Sequence, residues 1–199
     1  MSSDDEKTVW DARYREKPGS WTEPDELLIN AYEQFLSAAP PGVALDLAGG
    51  AGRNTLFLLR RGWRVKLLDI SEVGLELALE KAAAEGVSSN LSAELVDLNT
   101  AVDLGSKQYD LITVFFFLRR ELFPALVTAL KPGGLLIYKT YTESRRDFGH
   151  GAGDPRYLLK SGELRRSFAT LRELHYQETT DAKAAAEFIG EKVESGQSG

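Results

Sequence analysis

Apolar runs and amphipathic stretches alternate through the middle of the chain. Apolar residues dominate 43–47, 65–68 and 109–117, and the last of these runs is nearly continuous, which is typical of a strand covered on both faces of a parallel sheet. Between the runs, Leu and Ala recur at helical spacing, as on a helix that packs along one side. This alternation predicts a doubly wound α/β fold with a mostly parallel sheet.

Element boundaries follow from the same pattern. We expect strands at 43–47, 65–68, 91–97, 109–117 and 135–141, helices at 25–38, 54–61, 72–85, 121–130 and 163–168, and an antiparallel pair of strands at 171–179 and 183–192. The least apolar strand, 91–97, belongs near an edge of the sheet. In the first of these helices, the buried side is expected to carry Leu27, Leu28, Ala31, Phe35 and Leu36. The stretch 142–157 is the one long irregular segment, and such loops are often functional.

Length and composition favour one domain. The chain has 199 residues, of which 43% are hydrophobic, enough for a single compact domain over residues 1–199. The polar stretch 1–8 and the tail 194–199 are expected to be disordered. Residues 9–40 are expected to form a helical N-terminal segment.

Charge and cysteine content exclude several classes of function. The chain has no Cys, which excludes disulfides, thiolate zinc sites and a Cys nucleophile. Its net charge of −6 argues against nucleic-acid binding, and no apolar stretch reaches the roughly 18 residues of a membrane span. We expect a soluble cytoplasmic protein, a monomer or homodimer, with no nucleic-acid or membrane partner and no metal site.

A glycine-rich turn follows the first strand of the predicted sheet, and acids stand at the strand ends. Gly49, Gly50 and Gly52 allow a ligand to approach the backbone closely. Asp46, Asp69 and Asp97 close successive strands, and ligands in open α/β sheets bind beyond these carboxyl ends. Taken singly, each acid could instead cap a helix or lie in a surface loop.

The acids argue against a dinucleotide. A pyrophosphate on the glycine turn would lie close to Asp46, and like charges a few Å apart cost about 1–4 kcal/mol depending on screening. Thr55 also stands where the dinucleotide fingerprint has a small Gly or Ala. S-adenosylmethionine carries a sulfonium and an ammonium group and no phosphate, so acids would attract it.

Each acid then has a partner on this cofactor. Gly50 and Gly52 would admit its methionine portion, and Asp46 would help to hold the ammonium group. Asp69 would accept both ribose hydroxyls. Asp97 would accept the adenine amino group, with Ile70 and Leu98 on the two faces of the ring.

At this point the chain resembles the class I S-adenosylmethionine-dependent methyltransferases. The segments DLAGGAGRN, LLDIS, VDLN, YDLITVFFF and LKPGGLLIYKTY occur in that family's order and span nearly the whole chain. WDARY, GRN and GDPRYLLKSGEL are similar to segments of small bacterial methyltransferases of the tellurite-resistance type. The resemblance implies a seven-stranded, mostly parallel Rossmann-like sheet whose last strand is antiparallel, with S-adenosylhomocysteine as the cofactor product.

The resemblance also bears on residues around the cofactor. Trp10 and Tyr14 share a helix face, which spacing alone assigns equally to packing on the domain edge or to a lid; in similar proteins this helix folds over the cofactor, which favours the lid. Arg53 and Asn54 match the GRN segment and are expected beside the methionine portion. Ala48 replaces the family's usual first glycine, and its methyl group is expected to tighten the fit.

The sequence gives less information about the residues that would bind the methyl acceptor. Arg119 and Arg120 follow a strand; one of them is expected to bind an anionic substrate and the other to face solvent. Tyr141 would wall the pocket or hydrogen-bond the acceptor, and Phe115 at the strand end would touch the cofactor. His150 is a candidate base or an ordinary loop residue, so no catalytic residue is assigned. The sequence therefore favours methyl transfer to a small molecule, with a non-catalytic cofactor-binding sensor as the alternative and a nucleotide-dependent oxidoreductase as a weaker third.

Overall fold

A computed structural model describes residues 3–17, 19, 22–148, 155–180 and 184–194. The chain divides into two compact units, residues 1–102 and 103–199. The single domain expected from length stays a prediction. Among the described residues, no helix is both long and apolar enough to cross a lipid bilayer.

The strands form a seven-stranded sheet in the order β3-β2-β1-β4-β5-β7-β6. In chain order they are β1 (Val43–Leu47), β2 (Arg64–Asp69), β3 (Leu91–Leu95), β4 (Tyr109–Phe115), β5 (Leu130–Tyr141), β6 (Arg172–Glu178) and β7 (Ala185–Glu191). Parallel pairing joins β1 to β2, β2 to β3 and β4 to β5, whereas β7 runs antiparallel to both β5 and β6. The predicted Rossmann-like sheet with an antiparallel last strand is confirmed, and β3 lies at an edge as expected.

Helices alternate with these strands. They are α1 (Ser3–Glu16), α2 (Glu26–Ala31), α3 (Arg53–Leu59), α4 (Glu72–Ala84), α5 (Phe123–Ala129) and α6 (Glu163–Ser167). A π-helical segment, Tyr32–Leu36, continues α2, and short 3₁₀ turns cover Ser88–Asn90, Arg120–Leu122, Glu143–Phe148 and Pro155–Tyr157. Part of the expected irregular segment 142–157 is therefore helical, and residues 149–154 lie outside the described chain.

The expected disorder at the N-terminus is wrong for residues 3–8, which belong to α1. Side chains of these first turns are bonded within the helix and beyond it. Lys7 donates to Asp11 of the same helix at 2.7 Å, and Glu6 accepts from the Asn99 amide, outside the helix, at 2.7 Å. These contacts offset the entropy that a short charged terminus otherwise retains. Of the expected C-terminal disorder, residues 195–199 lie outside the described chain.

Phe35 does not lie on the buried side of its helix, as the pattern predicted. Leu27, Leu28, Ala31 and Leu36 are buried, whereas Phe35 is 38% exposed. The π-helical turn explains this difference, because its wider turn makes the position five residues after Ala31, and not four, return to the buried face.

The KPGG turn lies inside β5. Leu130 pairs with Tyr109 and Leu135 pairs with Leu111, so the turn forms an irregularity between two paired stretches. Lys192 donates to the carbonyl oxygens of Val127 and Leu130, each at 2.7 Å, at the end of α5. Burial lowers the pKa of the Lys192 ammonium. The lysine therefore satisfies carbonyls that the end of a helix leaves unpaired.

Candidate cofactor site

The glycine turn after β1 is built from left-handed residues. Ala48, Gly50 and Gly52 have φ angles of 57°, 54° and 75°. A Cβ at Gly49 would collide with the side chains of Asp46 and Leu67. The turn therefore needs glycine both for its backbone path and for its close packing against the strand ends.

Asp46 lies beneath this turn. Its side chain is buried, with the residue 1% exposed, and its Oδ2 accepts a hydrogen bond from the Thr55 hydroxyl at 2.7 Å. The oxygen that would collide with a Cβ at Gly49 is this same Oδ2. Thr55, which argued against a dinucleotide on size alone, thus helps to hold a carboxylate under the glycine turn.

Asp69 closes β2 and joins it to the glycine turn. Its Oδ2 accepts from the Gly50 N–H and its Oδ1 accepts from the Ser71 N–H, both at 2.8 Å. The residue is 7% exposed. Backbone donors on both oxygens therefore hold the carboxylate plane in one orientation.

Burial raises the pKa of Asp69 to about 6. The hydrogen bonds from Ser71, Gly50 and Ile70 oppose this shift, and repulsion from Asp46 adds to it. Two neighbouring acids beneath one glycine turn thus make the site electrically negative.

Tyr14 of α1 packs against the same turn. A Cβ at Gly50 would collide with the Tyr14 hydroxyl, and a Cβ at Gly74 would lie 3.0 Å from its ring. Burial, together with the nearby charge of Asp69, raises the pKa of the Tyr14 hydroxyl. Trp10 lies beside Tyr14 with ring centroids 6.0 Å apart, which confirms their common helix face.

Asp11 is a residue of this site that the sequence analysis missed. It is 5% exposed, and its Oδ1 accepts from the Ser71 hydroxyl at 2.6 Å and from the Val73 N–H at 3.3 Å. Ser71 is the N-cap of α4 and accepts from the Gly74 N–H at 3.1 Å. Asp11 therefore ties α1 to the start of α4.

The third predicted acid, Asp97, follows edge strand β3. Its carboxylate accepts from the Asn99 N–H at 2.8 Å, and the backbone N–H of the preceding residue, Val96, donates to the Asp69 carbonyl at 2.9 Å. Leu98 is buried and Ile70 is half-buried. The structure thus brings the ends of β2 and β3 together, with α1 fastened to the second of them through Glu6 and Asn99.

Arg53 and Asn54 have partners in the segment before α2. The Asn54 side chain is buried and its Oδ1 accepts from the Asp25 N–H at 2.9 Å. Arg53 donates to the Glu23 carbonyl at 3.3 Å and lies 3.6 Å from the Asp25 carboxylate. Both residues connect α3 to the chain that leads into α2, and their predicted contact with a cofactor stays a prediction.

The predicted acceptor residues belong to the second unit. Phe115 ends β4 and is buried, and Tyr141 ends β5 with its ring 4.9 Å from that of Phe116. Arg119 lies 3.3 Å from Glu121. The Arg120 side chain is 38% exposed. It donates to Glu163 at 2.5 Å and to two backbone carbonyls, and therefore holds a neighbouring segment in place. His150 lies outside the described residues.

Metal binding finds no support in the described ranges, where no three His, Asp or Glu side chains come together as a ligand set.

Replacing Ala48 with Gly is expected to stabilise the protein. A left-handed residue that carries a Cβ destabilises the folded state by about 1–2 kcal/mol. Gly also makes the unfolded chain more flexible, which offsets about 0.4–1 kcal/mol of the stability gained by removing that strain. The net gain of up to about 1 kcal/mol corresponds to a rise in Tm of about 2–4 °C. Ala51→Gly, in the same turn without a positive φ, is the control and should lower Tm. A matching loss in both variants, measured by calorimetric melting, would contradict strain at Ala48.

Comparison with known proteins gives a matching family model, curated relatives and solved structures. A family model described as a methyltransferase domain matches residues 44–134. The probable S-adenosyl-L-methionine-dependent methyltransferase TehB of Haemophilus influenzae is 35% identical over 94 residues, which cover 46% of this chain and 32% of that protein. Hemagglutinin 1 of Eikenella corrodens is 27% identical over 173 residues, covering 83% of this chain and 55% of that protein. The chain thus spans about half the length, or less, of these relatives.

The fold is shared with a solved relative. The crystal structure of TehB from Haemophilus influenzae superposes with a TM-score of 0.72 at 21% identity and covers 92% of this chain and 67% of that one. Likeness at this level of identity shows the fold, and the matched family model adds the kind of domain. Residues 44–134 thus match a methyltransferase domain model, and the chain is similar to the probable S-adenosyl-L-methionine-dependent methyltransferase TehB in part of its sequence and in its fold.

Proposed function

We propose that the protein is an enzyme that transfers a methyl group from S-adenosylmethionine to a small-molecule acceptor. The observation that carries this proposal is the pair of buried carboxylates, Asp46 and Asp69, held against one glycine turn. A site of this charge suits a ligand with cationic groups and disfavours a phosphate, because like charges at close range repel strongly where water is excluded.

The donor and acceptor groups fit the cofactor. Asp69, held in place by the N–H groups of Gly50 and Ser71, accepts the two ribose hydroxyls, and Asp97 accepts the adenine amino group. The half-buried Ile70 and the buried Leu98 contact the adenine ring. The backbone of Ala48, Gly50 and Gly52 lies along the methionine portion, with Arg53 and Asn54 beside it.

Asp46 acts through its charge. Its buried oxygen already accepts from Thr55, so it attracts the cofactor ammonium group through the glycine turn and not by an exposed contact. Trp10 and Tyr14 cover the cofactor as part of α1, which Asp11 fastens to α4. The chain thereby excludes water from the reacting groups.

The bound cofactor supplies an activated methyl group, and the chemistry of transfer is its own. The protein orients an acceptor in line with that group at about 3–3.5 Å. Soft acceptors such as thiols need little help from a base, whereas phenols and amines require loss of a proton.

Calorimetry and turnover test the proposal. We expect S-adenosylmethionine and S-adenosylhomocysteine to bind and NAD not to bind, and we expect S-adenosylhomocysteine to form with at least one acceptor from a panel of thiols, phenols, amines and tellurite. Binding of NAD alone would overturn the proposal. Cofactor binding without product from any acceptor would instead favour a non-catalytic sensor.

A further inference from the structure

Phe116, the first residue after β4, has a backbone conformation that is rare for its side chain. Its φ angle is 57°, in the left-handed region, where a bulky residue is a genuine outlier. Glycine takes this conformation without strain, yet the chain has a phenylalanine here. Strained residues of this kind cluster at ligand sites. The strain at Phe116 therefore marks the end of β4 as a candidate ligand site.

Hydrogen bonds from the neighbouring strand hold the chain at this angle. The Phe116 N–H donates to the Lys139 carbonyl at 2.7 Å, which continues the contact of β4 with β5 past Phe115. The Tyr138 hydroxyl donates to the Phe117 carbonyl at 2.8 Å, and Tyr138 is buried. The fold thus fixes the strained residue before any ligand arrives, and a preordered site lowers the cost of binding.

The Phe116 ring lies against one face of β5. Its centroid is 4.9 Å from the centroid of the Tyr141 ring, with 38° between the ring planes, and 5.9 Å from the Lys139 Nζ. Residues two apart in a strand lie on the same face of the sheet, so Lys139 and Tyr141 share the face that Phe116 contacts. Lys139 is paired with Glu187 at 2.9 Å, and the Arg145 guanidinium lies 3.7 Å from the Tyr141 ring centroid. The strand end therefore carries two neighbouring aromatic rings, each with a cation beside it.

These two rings keep part of their surface accessible. Phe116 and Tyr141 are half-buried, whereas Phe115 and Tyr138, in the same part of the sheet, are buried. β4 and β5 are parallel, and ligands of open α/β sheets bind beyond the carboxyl ends of such strands. Aromatic rings gain from stacked or edge-to-face contact with another ring beyond what burial of area provides. A partly exposed pair of rings at this edge is thus suited to an aromatic ligand.

We infer that the rings of Phe116 and Tyr141 bind the methyl acceptor, and that this acceptor carries an aromatic ring beside the atom that receives the methyl group. That the ligand is the acceptor rests on the proposed function, whereas ring binding itself does not require methyl transfer. Ring contact places no demand on the methylated atom, so thiol, hydroxyl and amine acceptors are all compatible with it.

Matched aromatic and saturated probes test the inference by calorimetry, with and without S-adenosylhomocysteine. The pairs are phenol and cyclohexanol, benzyl alcohol and cyclohexylmethanol, and benzyl mercaptan and cyclohexylmethanethiol. Because a contact between aromatic rings adds to the area that either member buries, we expect the wild-type protein to bind the aromatic member of at least one pair about two- to tenfold more tightly.

Four variants separate the rings from the rest of the structure. Phe116→Leu and Tyr141→Leu should each remove most of the preference, because leucine is apolar but has no ring, while Phe116→Tyr should keep it. Phe116→Gly removes the ring and also relieves the backbone strain, so the preference should disappear in a variant whose thermal melting shows that it is folded. Phe35→Leu is the matched control and should keep the preference, since Phe35 is 38% exposed in a π-helical segment outside the sheet.

Equal affinity for both members of every pair would overturn the inference. So would a preference that survives in the Phe116→Leu, Tyr141→Leu double variant, or one that Phe35→Leu removes as well. Methyl transfer to saturated acceptors alone would contradict the aromatic ligand and support the proposed enzyme. An aromatic preference while no acceptor yields S-adenosylhomocysteine would support the ring site and contradict the proposed enzyme, so the two failures remain distinct.

Discussion

Replacing Asp69 with Asn is expected to weaken binding of S-adenosylmethionine about 100-fold at pH 7.5. Hydrogen bonds to a charged acceptor are worth about 1.5–3 kcal/mol each, and the ribose offers two of them to a carboxylate that Gly50 and Ser71 hold in place. Calorimetric titration measures the change. Asp103→Asn is the matched control, because the Asp103 carboxylate also accepts a backbone N–H, that of Gly105, away from the cofactor turn. Unchanged affinity in the Asp69 variant would place the ribose elsewhere.

The same carboxylate predicts a pH dependence. Because the pKa of Asp69 is raised to about 6, cofactor affinity in the wild type should be about tenfold lower at pH 5 than at pH 7, since one proton must leave before the ribose binds. Between these two pH values the cofactor's α-amino group stays mostly protonated, since its ordinary pKa is about 7.7–8.0. The Asp69→Asn variant should show no such fall.

Protonation of Asp69 should stabilise the free protein, whereas it should weaken cofactor binding. A carboxyl whose folded pKa lies above its ordinary value of 3.8 favours folding in its protonated form. This contribution is present in acid and is lost as the pH rises through about 6. Ionised Asp69 therefore reduces the stability of the free protein near neutral pH, and a cofactor that uses the charge recovers that loss.

Replacing Asp11 with Asn is expected to loosen α1 and to weaken cofactor binding about tenfold or more. Asp11 accepts from Lys7, Ser71 and Val73 while buried, and an unsatisfied buried partner costs about 1–3 kcal/mol. The variant should become sensitive to trypsin at Arg13 and Arg15 without loss of the sheet. Titration with S-adenosylhomocysteine and timed proteolysis measure both effects.

Asp4→Asn serves as the control for Asp11, because Asp4 is an exposed acid in the first turn of the same helix. Equal protease resistance in the two variants would show that Asp11 does not fasten α1.

Burial opposes ionisation of Asp11, but its hydrogen bonds prevail and lower its pKa. Its contribution is therefore present above the ordinary value of 3.8 and is lost only in stronger acid. At pH 5 the wild-type α1 should stay attached although Asp69 is largely protonated, so the two effects separate.

Much of the fold could be predicted from local pattern. Buried parallel strands read as apolar runs because both faces are covered, and β3 read as an edge strand because it is less apolar. Phe35 shows the limit of this reasoning. Its four-residue spacing from Ala31 is correct for an α-helix. No local pattern predicts the π-helical turn, in which Leu36 is buried instead of Phe35.

Some residues of the candidate site could likewise be predicted from local pattern and others could not. Residue type and position at a strand end were sufficient to predict that Asp46, Asp69 and Asp97 belong to one edge. Arg120 and Asp11 were not predictable, since the partners of Arg120 lie 36 to 43 residues along the chain and those of Asp11 reach 62. Ala48 was judged by the size of its methyl group, whereas the backbone angle that strains it depends on how the turn closes over Asp46.

The sequence by itself determined the order of strands and helices, the glycine turn and the acidic character of the cofactor edge, because these depend on hydrophobic period, backbone freedom and formal charge. Only the tertiary structure decided which groups hold each buried carboxylate. Asp46 and Asp69 have the same side chain near the ends of neighbouring strands, yet the Thr55 hydroxyl donates to one, and the backbone N–H groups of Gly50 and Ser71 donate to the other. The reason is that the orientation of a buried charge depends on hydrogen-bond partners that are distant in sequence. Residue type alone does not identify those partners.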